Sequence, residues 1–341
     1  MNYRRFICLF LLGMFPFISR TQNLGQDPWT AFPVCGTAKF EQKSVPLKAG
    51  RAIPAPCNNI QLEDVNPYYY RFTAYTTGSL GLLITPIGGS EDYDWHIFDI
   101  TGRDPSEIYS NGNLLVACNW SQEFGPTGTA ATAASLVACG GPTPKWSKLP
   151  TITKGHTYLL MVSHFTENQS GYSLEFKGGT ASITDPLLPA VTAVQPNCDG
   201  STLIVRVNKK LRCSSLSADG SDFSIDAAGY SVTGATAVQC QSGFDMDSIQ
   251  VKLNKPLVPG TYNFSVRKGT DGNSLLDYCD RPIDSLTQIP FRMDPLVPTP
   301  MDSLVTPTCG AQSVELVFSK NVKCNSLTNN GSEFKITGPA M

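Results

Sequence analysis

The sequence has few charged residues. Of its 341 residues only 16% are Asp, Glu, Lys or Arg, against roughly 25% in a typical soluble domain, and the formal net charge is -2. It contains no run of basic residues, which argues against a nucleic-acid-binding protein. The hydrophobic share of 41% is too high for a disordered chain. Two or three globular domains fit a chain of this length.

Several catalytic and metal-binding motifs are absent. No Cys-x-x-Cys pair occurs, and the three histidines, His96, His156 and His164, do not have the spacing of metal ligands. His-Glu-x-x-His, Gly-x-Ser-x-Gly and a glycine-rich phosphate loop are also missing. A Ser-His-Asp triad is recognised by geometry, so the histidines stay open as candidates for one. We expect a chain with no enzymatic activity of its own.

The N-terminus has the pattern of an export signal. Arg4 and Arg5 precede an apolar run over 6–18, and Ser19 and Thr21 are small residues placed for cleavage. The run is shorter than the roughly 20 residues that cross a bilayer, and no later segment is long enough to do so. The sequence therefore predicts a signal peptide over 1–21, no membrane span, and a secreted or cell-surface protein.

Ten cysteines follow the predicted signal peptide. An even number in an exported protein is typical of disulfides, and we expect all ten to be bonded. Connectivity stays open at this stage, and pairing between neighbours is the simplest arrangement. The five neighbour pairs are Cys35 with Cys57, Cys118 with Cys139, Cys198 with Cys213, Cys240 with Cys279, and Cys309 with Cys324.

Two stretches of the chain repeat at an offset of 111 residues. Pro196–Cys213 aligns with Pro307–Cys324 without a gap, and the match continues to Phe223 and Phe334. Such agreement indicates tandem copies of one module. The second copy stops at Met341, before the strands that complete the first copy. We therefore expect 297–341 to be an incomplete repeat and the chain to be the N-terminal part of a longer protein.

The first copy is rich in short strand patterns. Ser248–Leu253 alternates apolar and polar residues, and a Pro259-Gly260 turn leads into a second alternating strand. Together with Val194-x-Pro196 and Pro259-Gly-Thr-Tyr262, this order resembles a bacterial Ig-like module, the kind found in S-layer proteins and in large surface proteins of gliding Bacteroidetes. The resemblance covers 190–296 and part of 297–341, and it implies an antiparallel β-sandwich.

Residues 22–180 follow a different pattern, with predicted strands at Pro67–Tyr75, Asp94–Ile100 and Gly171–Phe176. Tyr70-x-Phe72, Asp92-Tyr-Asp94 and Gly155-x-x-Tyr158 make this region similar to the bacterial pre-peptidase C-terminal domain, which implies a jelly-roll-like sandwich. With a linker over 181–189, the predicted fold is all-β. It consists of a jelly-roll-like sandwich followed by Ig-like sandwiches, stapled by disulfides.

An acidic cluster in the first region is a candidate calcium site. Glu91, Asp92, Asp94 and Asp99 supply hard oxygen ligands at high density, although their spacing is not that of an EF-hand loop. The alternative is a charged strand edge that opposes aggregation. No other cofactor is expected.

Aromatic side chains of the same region are candidates for glycan binding. Flat rings stack on sugar faces, and Trp95 and Trp120 are the residues that we select for this role. The alternative, which is the more common use of strand aromatics, is that they fill the core of the sandwich.

We therefore expect a secreted or cell-surface protein with an adhesion and spacer role, of the kind seen in adhesin-like and gliding-associated proteins. Its partners would be a surface glycan or an extracellular protein. Two alternatives stay open: an accessory region of an exported protease or other hydrolase, because pre-peptidase-type domains accompany proteases, and a glycan-binding module.

Overall fold

The computed structural model describes residues 24–54, 56, 61–166, 168–285, 288–295, 301–320, 322, 326–328 and 330–338. The predicted signal peptide over 1–21 lies outside these residues. In the described part the fold is all-β, as predicted. No helix there has the length and hydropathy that a membrane crossing needs. The helices are short 3-10 segments at Pro28–Thr30, Pro105–Tyr109, Gly112–Leu114, Cys213–Ser215 and Val238–Gln241.

The first sandwich contains fifteen strands. They are β1 (Phe32–Pro33), β2 (Phe40–Gln42), β3 (Ala52–Ile53), β4 (Leu62–Glu63), β5 (Pro67–Thr73), β6 (Gly78–Ser79), β7 (Leu83–Pro86), β8 (Tyr93–Asp99), β9 (Leu115–Trp120), β10 (Thr127–Ala130), β11 (Val137–Cys139), β12 (Trp146–Lys148), β13 (Thr151–Ile152), β14 (Thr157–His164) and β15 (Tyr172–Glu175). One sheet has the order β1-β5-β14-β8-β9-β11, and the facing sheet has the order β12-β10-β7-β15-β2.

Alternating side chains from both sheets fill the core between them. Trp95 and Ile97 of β8 pack with Phe72 of β5 on one side, and Ile84 and Leu174 come from the facing sheet. All five are almost completely buried. This is the period-two pattern expected of a β-sandwich, in which successive side chains point to opposite faces.

The outer face of β8 is covered as well. Phe98 belongs to a second apolar cluster with Ile53, Leu62, Ile108 and Leu114, which come from β3, β4 and the turns that follow β8. β8 is therefore buried on both faces, and polar residues in it are held away from water. This arrangement places the candidate site described below.

The second sandwich uses seven strands. They are β16 (Val191–Pro196), β17 (Thr202–Arg212), β18 (Phe223–Ile225), β19 (Val232–Thr236), β20 (Asp245–Leu253), β21 (Gly260–Val266) and β22 (Gln288–Met293). The two sheets have the orders β16-β17-β20-β19 and β18-β21-β22, with antiparallel neighbours throughout. Ile249, Val251 and Leu253 point into the core, as their alternation predicts.

The second repeat has little of this structure in the residues described. It contains β23 (Ser303–Leu304) and β24 (Leu316–Val317), which pair with each other. Phe334 is 45% exposed, whereas its counterpart in the first copy, Phe223, is fully buried against Phe264 of β21. The described residues of the second copy therefore lack the facing sheet that buries this position in the first.

The disulfides differ from the predicted neighbour pairs. Cys35 of the first sandwich bonds to Cys279 of the second, and Cys213 bonds to Cys240. The predicted pairs of Cys35 with Cys57, Cys118 with Cys139, Cys198 with Cys213, Cys240 with Cys279, and Cys309 with Cys324 are therefore wrong. Cys139 is bonded, but Cys118, Cys198 and Cys309 are free thiols, so the expectation that all ten cysteines are bonded is also wrong. Cys57 and Cys324 lie outside the described residues.

Noncovalent contacts accompany the bond between the sandwiches. The Phe32 ring packs edge-on against Phe244, with ring centroids 4.9 Å apart, and against Tyr278 at 5.8 Å. The Arg71 guanidinium lies 3.1 Å from the Asp245 carboxylate. The Cys35–Cys279 bond therefore reinforces an apolar and ionic interface.

Candidate functional site

A cavity opens on the outer face of the first sandwich, beside the start of β8. Its volume is about 240 Å³. Most of its wall is apolar, and acidic side chains lie along one side. None of the described residues that line it is Lys or Arg. We call it the acidic pocket, and its principal residues are Leu62, Glu63, Asp92, Asp94, Trp120 and Phe165.

Two carboxyls of the pocket are held by the start of β8. Asp94 lies in the strand and Asp92 directly before it, so the two share one face. They are 4% and 5% exposed. Asp92 Oδ1 has no hydrogen-bond partner among the described residues. A buried carboxylate oxygen without a partner is rare in folded proteins and calls for a specific explanation.

Burial changes the acidity of both groups. It raises the pKa of Asp92 to about 6. It also raises the pKa of Asp94, and the nearby Asp92 charge adds to that rise. Neither group gains from an adjacent cation, which would lower its pKa. The pocket therefore holds acidic groups whose charge is poorly compensated.

The apolar wall of the pocket includes two aromatic rings. Trp120 ends β9 and is 8% exposed, and its indole N–H donates a hydrogen bond to His96 Nε2 in the sheet. Phe165 follows β14 and is 62% exposed, and its backbone N–H donates to the Asp92 carbonyl. This backbone hydrogen bond holds the exposed Phe165 ring beside Asp92, the residue with the unpartnered carboxylate oxygen.

The predicted calcium cluster is not assembled. Asp99 lies at the far end of β8 from Asp92, where its Oδ2 is 2.6 Å from His156 Nδ1. Glu91 instead accepts hydrogen bonds from Asn168 and His164. Among the described residues, no group of three or more His, Cys, Asp or Glu side chains is placed to hold a metal ion. A strand rises about 3.3 Å per residue, so acids spread along it cannot converge on one ion.

The predicted aromatic glycan platform is not formed either. Trp95 is completely buried between the sheets, where its indole N–H donates to Thr127 Oγ1 at 3.2 Å. Trp120 is only 8% exposed and lies at the wall of the acidic pocket. The two rings lie on opposite faces of the sheet, so they cannot contact one sugar together.

The three histidines have different surroundings, and they are not close to one another. Burial lowers the pKa of His96 to about 3, so it stays neutral. His164 stacks on Tyr93 with ring centroids 4.4 Å apart, and burial lowers its pKa although Glu91 opposes the change. His156 pairs with Asp99, whose Oδ1 accepts from the Thr101 hydroxyl.

Part of this site escapes sequence reasoning. Asp92, Asp94 and Trp120 stand out as chemistry-bearing residues, but Leu62 and Phe165 do not, because each reaches the pocket only through the fold. Phe165 follows a strand like many ordinary turn residues. A sequence signal does exist in Asp92-Tyr-Asp94, where two acids sit on one face of a strand with no basic residue nearby.

Comparisons with known proteins do not assign the chain to a family. No protein-family model matches the chain, and no curated protein matches it significantly. The pocket is therefore interpreted from its own geometry.

The raised pKa of Asp92 predicts a pH dependence of stability. Because the folded chain keeps this proton to higher pH than the unfolded chain, stability should fall as the pH rises from about 4 to about 6. The part of the loss that comes from Asp92 should be on the order of 1–3 kcal/mol. Asp92→Asn should remove that part and leave the part that comes from the raised pKa of Asp94. Urea unfolding across this range checks the result. All four tryptophans lie in the first sandwich, so their fluorescence reports on it.

Asp99→Asn is the matched control for this experiment. Burial acts to raise the pKa of Asp99, but hydrogen bonds from Thr101 and His156 outweigh it, and the net shift is downward. Its ionised form therefore stabilises the fold above the ordinary Asp pKa, and that contribution is lost as the pH falls. Asp99→Asn should leave the decline between pH 4 and 6 in place. An unchanged profile in Asp92→Asn would contradict the assignment.

Proposed function

We propose that this chain is a secreted or cell-surface protein with a non-catalytic adhesion and spacer role, and that its first sandwich binds an alkylammonium group in the acidic pocket. The ammonium group would belong to a lysine side chain of an extracellular protein or to a free amine. The observation that carries the proposal is the buried Asp92 carboxylate oxygen, which has no hydrogen-bond partner among the described residues. None of the described residues that line the pocket is Lys or Arg.

The chemistry of the wall favours an organic cation over a metal ion. Calcium needs six to eight oxygen ligands, whereas most of this wall is carbon. An alkylammonium matches both parts of the pocket, because its N–H groups donate to carboxylates while its methylene chain contacts Leu62. An ammonium is also attracted to the faces of aromatic rings, and the pocket offers Phe165 and Trp120.

Two features of the chain support the export and spacer part of the proposal. Disulfides persist in oxidising compartments and are rare in the cytosol, and two described bridges are formed here. One of them, Cys35–Cys279, joins the two sandwiches, which suits an extended protein that must keep its modules in a fixed relation.

The full chain with its disulfides oxidised is the material for the binding test. We expect n-butylammonium and Nα-acetyl-lysine-methylamide to bind in calorimetric titrations, and 1-butanol, which has the same carbon chain without the charge, not to bind. Asp92→Asn should weaken ammonium binding by roughly tenfold to a hundredfold, because a hydrogen bond between charged groups contributes about 1.5–3 kcal/mol.

Asp99→Asn serves as the control variant, because it removes a carboxylate from the far end of the same strand. It should bind as the unmodified chain does. Stronger binding of the lysine derivative than of butylammonium would indicate a protein partner, and the reverse would indicate a free amine. Equal binding of butanol, or full binding by Asp92→Asn, would overturn the proposal. Binding of neutral sugars alone would replace it with the glycan-binding alternative.

A further inference from the structure

A second group of unpartnered oxygen atoms lies in the second sandwich, where the turn before β18 meets the stretch that follows β21. Asp222, which directly precedes β18, is fully buried, and its Oδ1 has no hydrogen-bond partner among the described residues. The hydroxyl of Ser217 and the Oδ1 of Asn273 are also buried without partners. The Asp222 and Ser217 atoms lie close together, and the packing of the sandwich does not explain two neighbouring unpartnered oxygens.

The unpartnered oxygens of Asp222 and Ser217 converge on one glycine, together with an oxygen of Asp271. A methyl group built on Gly269 would lie 2.5 Å from Asp222 Oδ1, 2.6 Å from Ser217 Oγ and 3.0 Å from Asp271 Oδ1. Three side chains, from the turn before β18 and from the stretch after β21, thus direct oxygen atoms into the space that the missing side chain leaves. The φ angle of Gly269 is not in the left-handed region, so the glycine is not required by backbone conformation.

The negative charge of this group is not compensated. No Lys or Arg among the described residues forms an ion pair with Asp222 or Asp271. A cation that entered the group would restore the balance.

The second repeat shows what the same turn looks like when it is closed by side chains alone. Ser217 N–H donates to Asp222 Oδ2 at 2.7 Å, and the matching residues 111 positions later form the same bond, from Thr328 N–H to Glu333 Oε1 at 2.7 Å. In the second copy the Thr328 hydroxyl also donates to Glu333. In the first copy the corresponding hydroxyl and Oδ1 are unpartnered. Holding the turn therefore explains one Asp222 oxygen and leaves the other available.

We propose that Asp222, Asp271 and Ser217 form a calcium site on the second sandwich, closed on one side by Gly269. Hard oxygen donors of mixed type, with water completing the shell, are the ligands that calcium accepts in a flexible geometry, whereas Mg²⁺ demands a near-ideal octahedron. Asp271 is exposed, which leaves the site open to water on that side. The ion would sit farther from the Gly269 backbone than a methyl group does.

The test uses the full oxidised chain after removal of metal ions with a chelator. We expect calorimetric titration with CaCl₂ to show one site, MgCl₂ to bind at least tenfold more weakly, and calcium to raise the unfolding temperature of the second sandwich. Asp222→Asn should weaken calcium binding by tenfold or more, and Gly269→Ala should do the same by filling the space. The control is Asp226→Asn, which removes an exposed acid directly after β18. This variant should bind calcium as the unmodified chain does.

Two readouts separate a calcium site from a purely structural turn. Ser217→Ala is the milder variant, because it keeps the N–H bond to Asp222, and it should weaken binding without unfolding the protein. Asp222→Asn should lower the unfolding temperature relative to the unmodified chain in calcium but not in chelator. Absence of calcium binding, or binding that survives Asp222→Asn, would overturn the proposal. Calcium binding that is lost in Asp92→Asn instead would also overturn it, because the ion would then be in the first sandwich.

Discussion

Replacing Cys35 and Cys279 together by serine is expected to uncouple the unfolding of the two sandwiches. The bond joins residues 244 positions apart, and a cross-link over so long a loop contributes about 5 kcal/mol in the chain-entropy estimate. Without it, the contacts that still hold the sandwiches together include the Phe32 ring packing and the Arg71–Asp245 ion pair. These contacts form an interface of the kind at which domains ordinarily move.

Calorimetry and tryptophan fluorescence together measure this uncoupling. In the unmodified chain the fluorescence transition of the first sandwich should occur at the same temperature as the main heat-absorption peak. In the double-serine variant we expect two heat-absorption peaks, with fluorescence following only one of them. The control is Cys213→Ser with Cys240→Ser, whose bond closes a loop of separation 27 inside the second sandwich. That variant should lose about 3 kcal/mol from the second sandwich and leave the first unchanged. A single transition in the Cys35/Cys279 variant would contradict the expectation.

The strands of both sandwiches can be predicted from sequence because a strand that is buried on one face alternates apolar and polar residues. Ser248–Leu253 is an example, since Ile249, Val251 and Leu253 alternate with polar residues and all three are buried. β8 is different. Its two faces are both covered, and the residues that cover the outer face, such as Ile108 and Leu62, are distant in sequence or follow a turn. Nothing in the local pattern of β8 reveals this second layer.

The disulfides could not be predicted for a related reason. Pairing between neighbours minimises the loop that must close, and it treats each module as separate. The structure instead brings Cys35, beside β1, to the turn before β22 that holds Cys279, because the two sandwiches pack together at this end. Interface geometry of this kind depends on side chains from both modules and leaves no trace in the spacing of the cysteines.

The acidic pocket shows the same division between composition and geometry. The density of acids around Tyr93 marks the region, but their roles depend on which face and which end of β8 each occupies. Asp92 and Asp94 enter a cavity, whereas Asp99 pairs with His156 at the far end. Asp222 carries no sequence signal, because a lone acid before a strand has the same local pattern as an ordinary turn residue.

Lys209 is the residue whose substitution should most weaken the attachment of the connecting segment to the second sandwich. Its ammonium lies 2.5 Å from Asp185 and 2.9 Å from Asp277, and it donates to the Leu187 carbonyl at 2.9 Å. Asp185 and Leu187 belong to the segment between β15 and β16, and Asp277 is fully buried. One ammonium therefore attaches the connecting segment to the second sandwich, near the Cys35–Cys279 bond.

Lys209→Met keeps the length of the side chain and removes its charge, leaving Asp277 with Arg281 as its remaining cationic partner. We expect a loss of about 3 kcal/mol at pH 7, at the lower end of the range for breaking a buried ion pair. Lys210→Met is the control, because its mostly exposed ammonium pairs with Asp245 and should contribute less than about 1 kcal/mol. Urea unfolding at neutral pH distinguishes the two variants, and equal losses would contradict the role assigned to Lys209.

Urea unfolding repeated at acidic pH tests why Lys209→Met lowers the stability of the protein. Burial acts to raise the pKa of Asp277, but bonds from Arg281 and Lys209 outweigh it and lower the pKa overall. A lowered carboxyl pKa stabilises the fold above the ordinary Asp value, and this contribution disappears as the pH falls through the folded-state pKa. The stability difference between the unmodified chain and Lys209→Met should therefore shrink below pH 4. A difference that stays constant from pH 7 to pH 3 would mean that Lys209 acts through the packing of its methylene chain rather than through its charge.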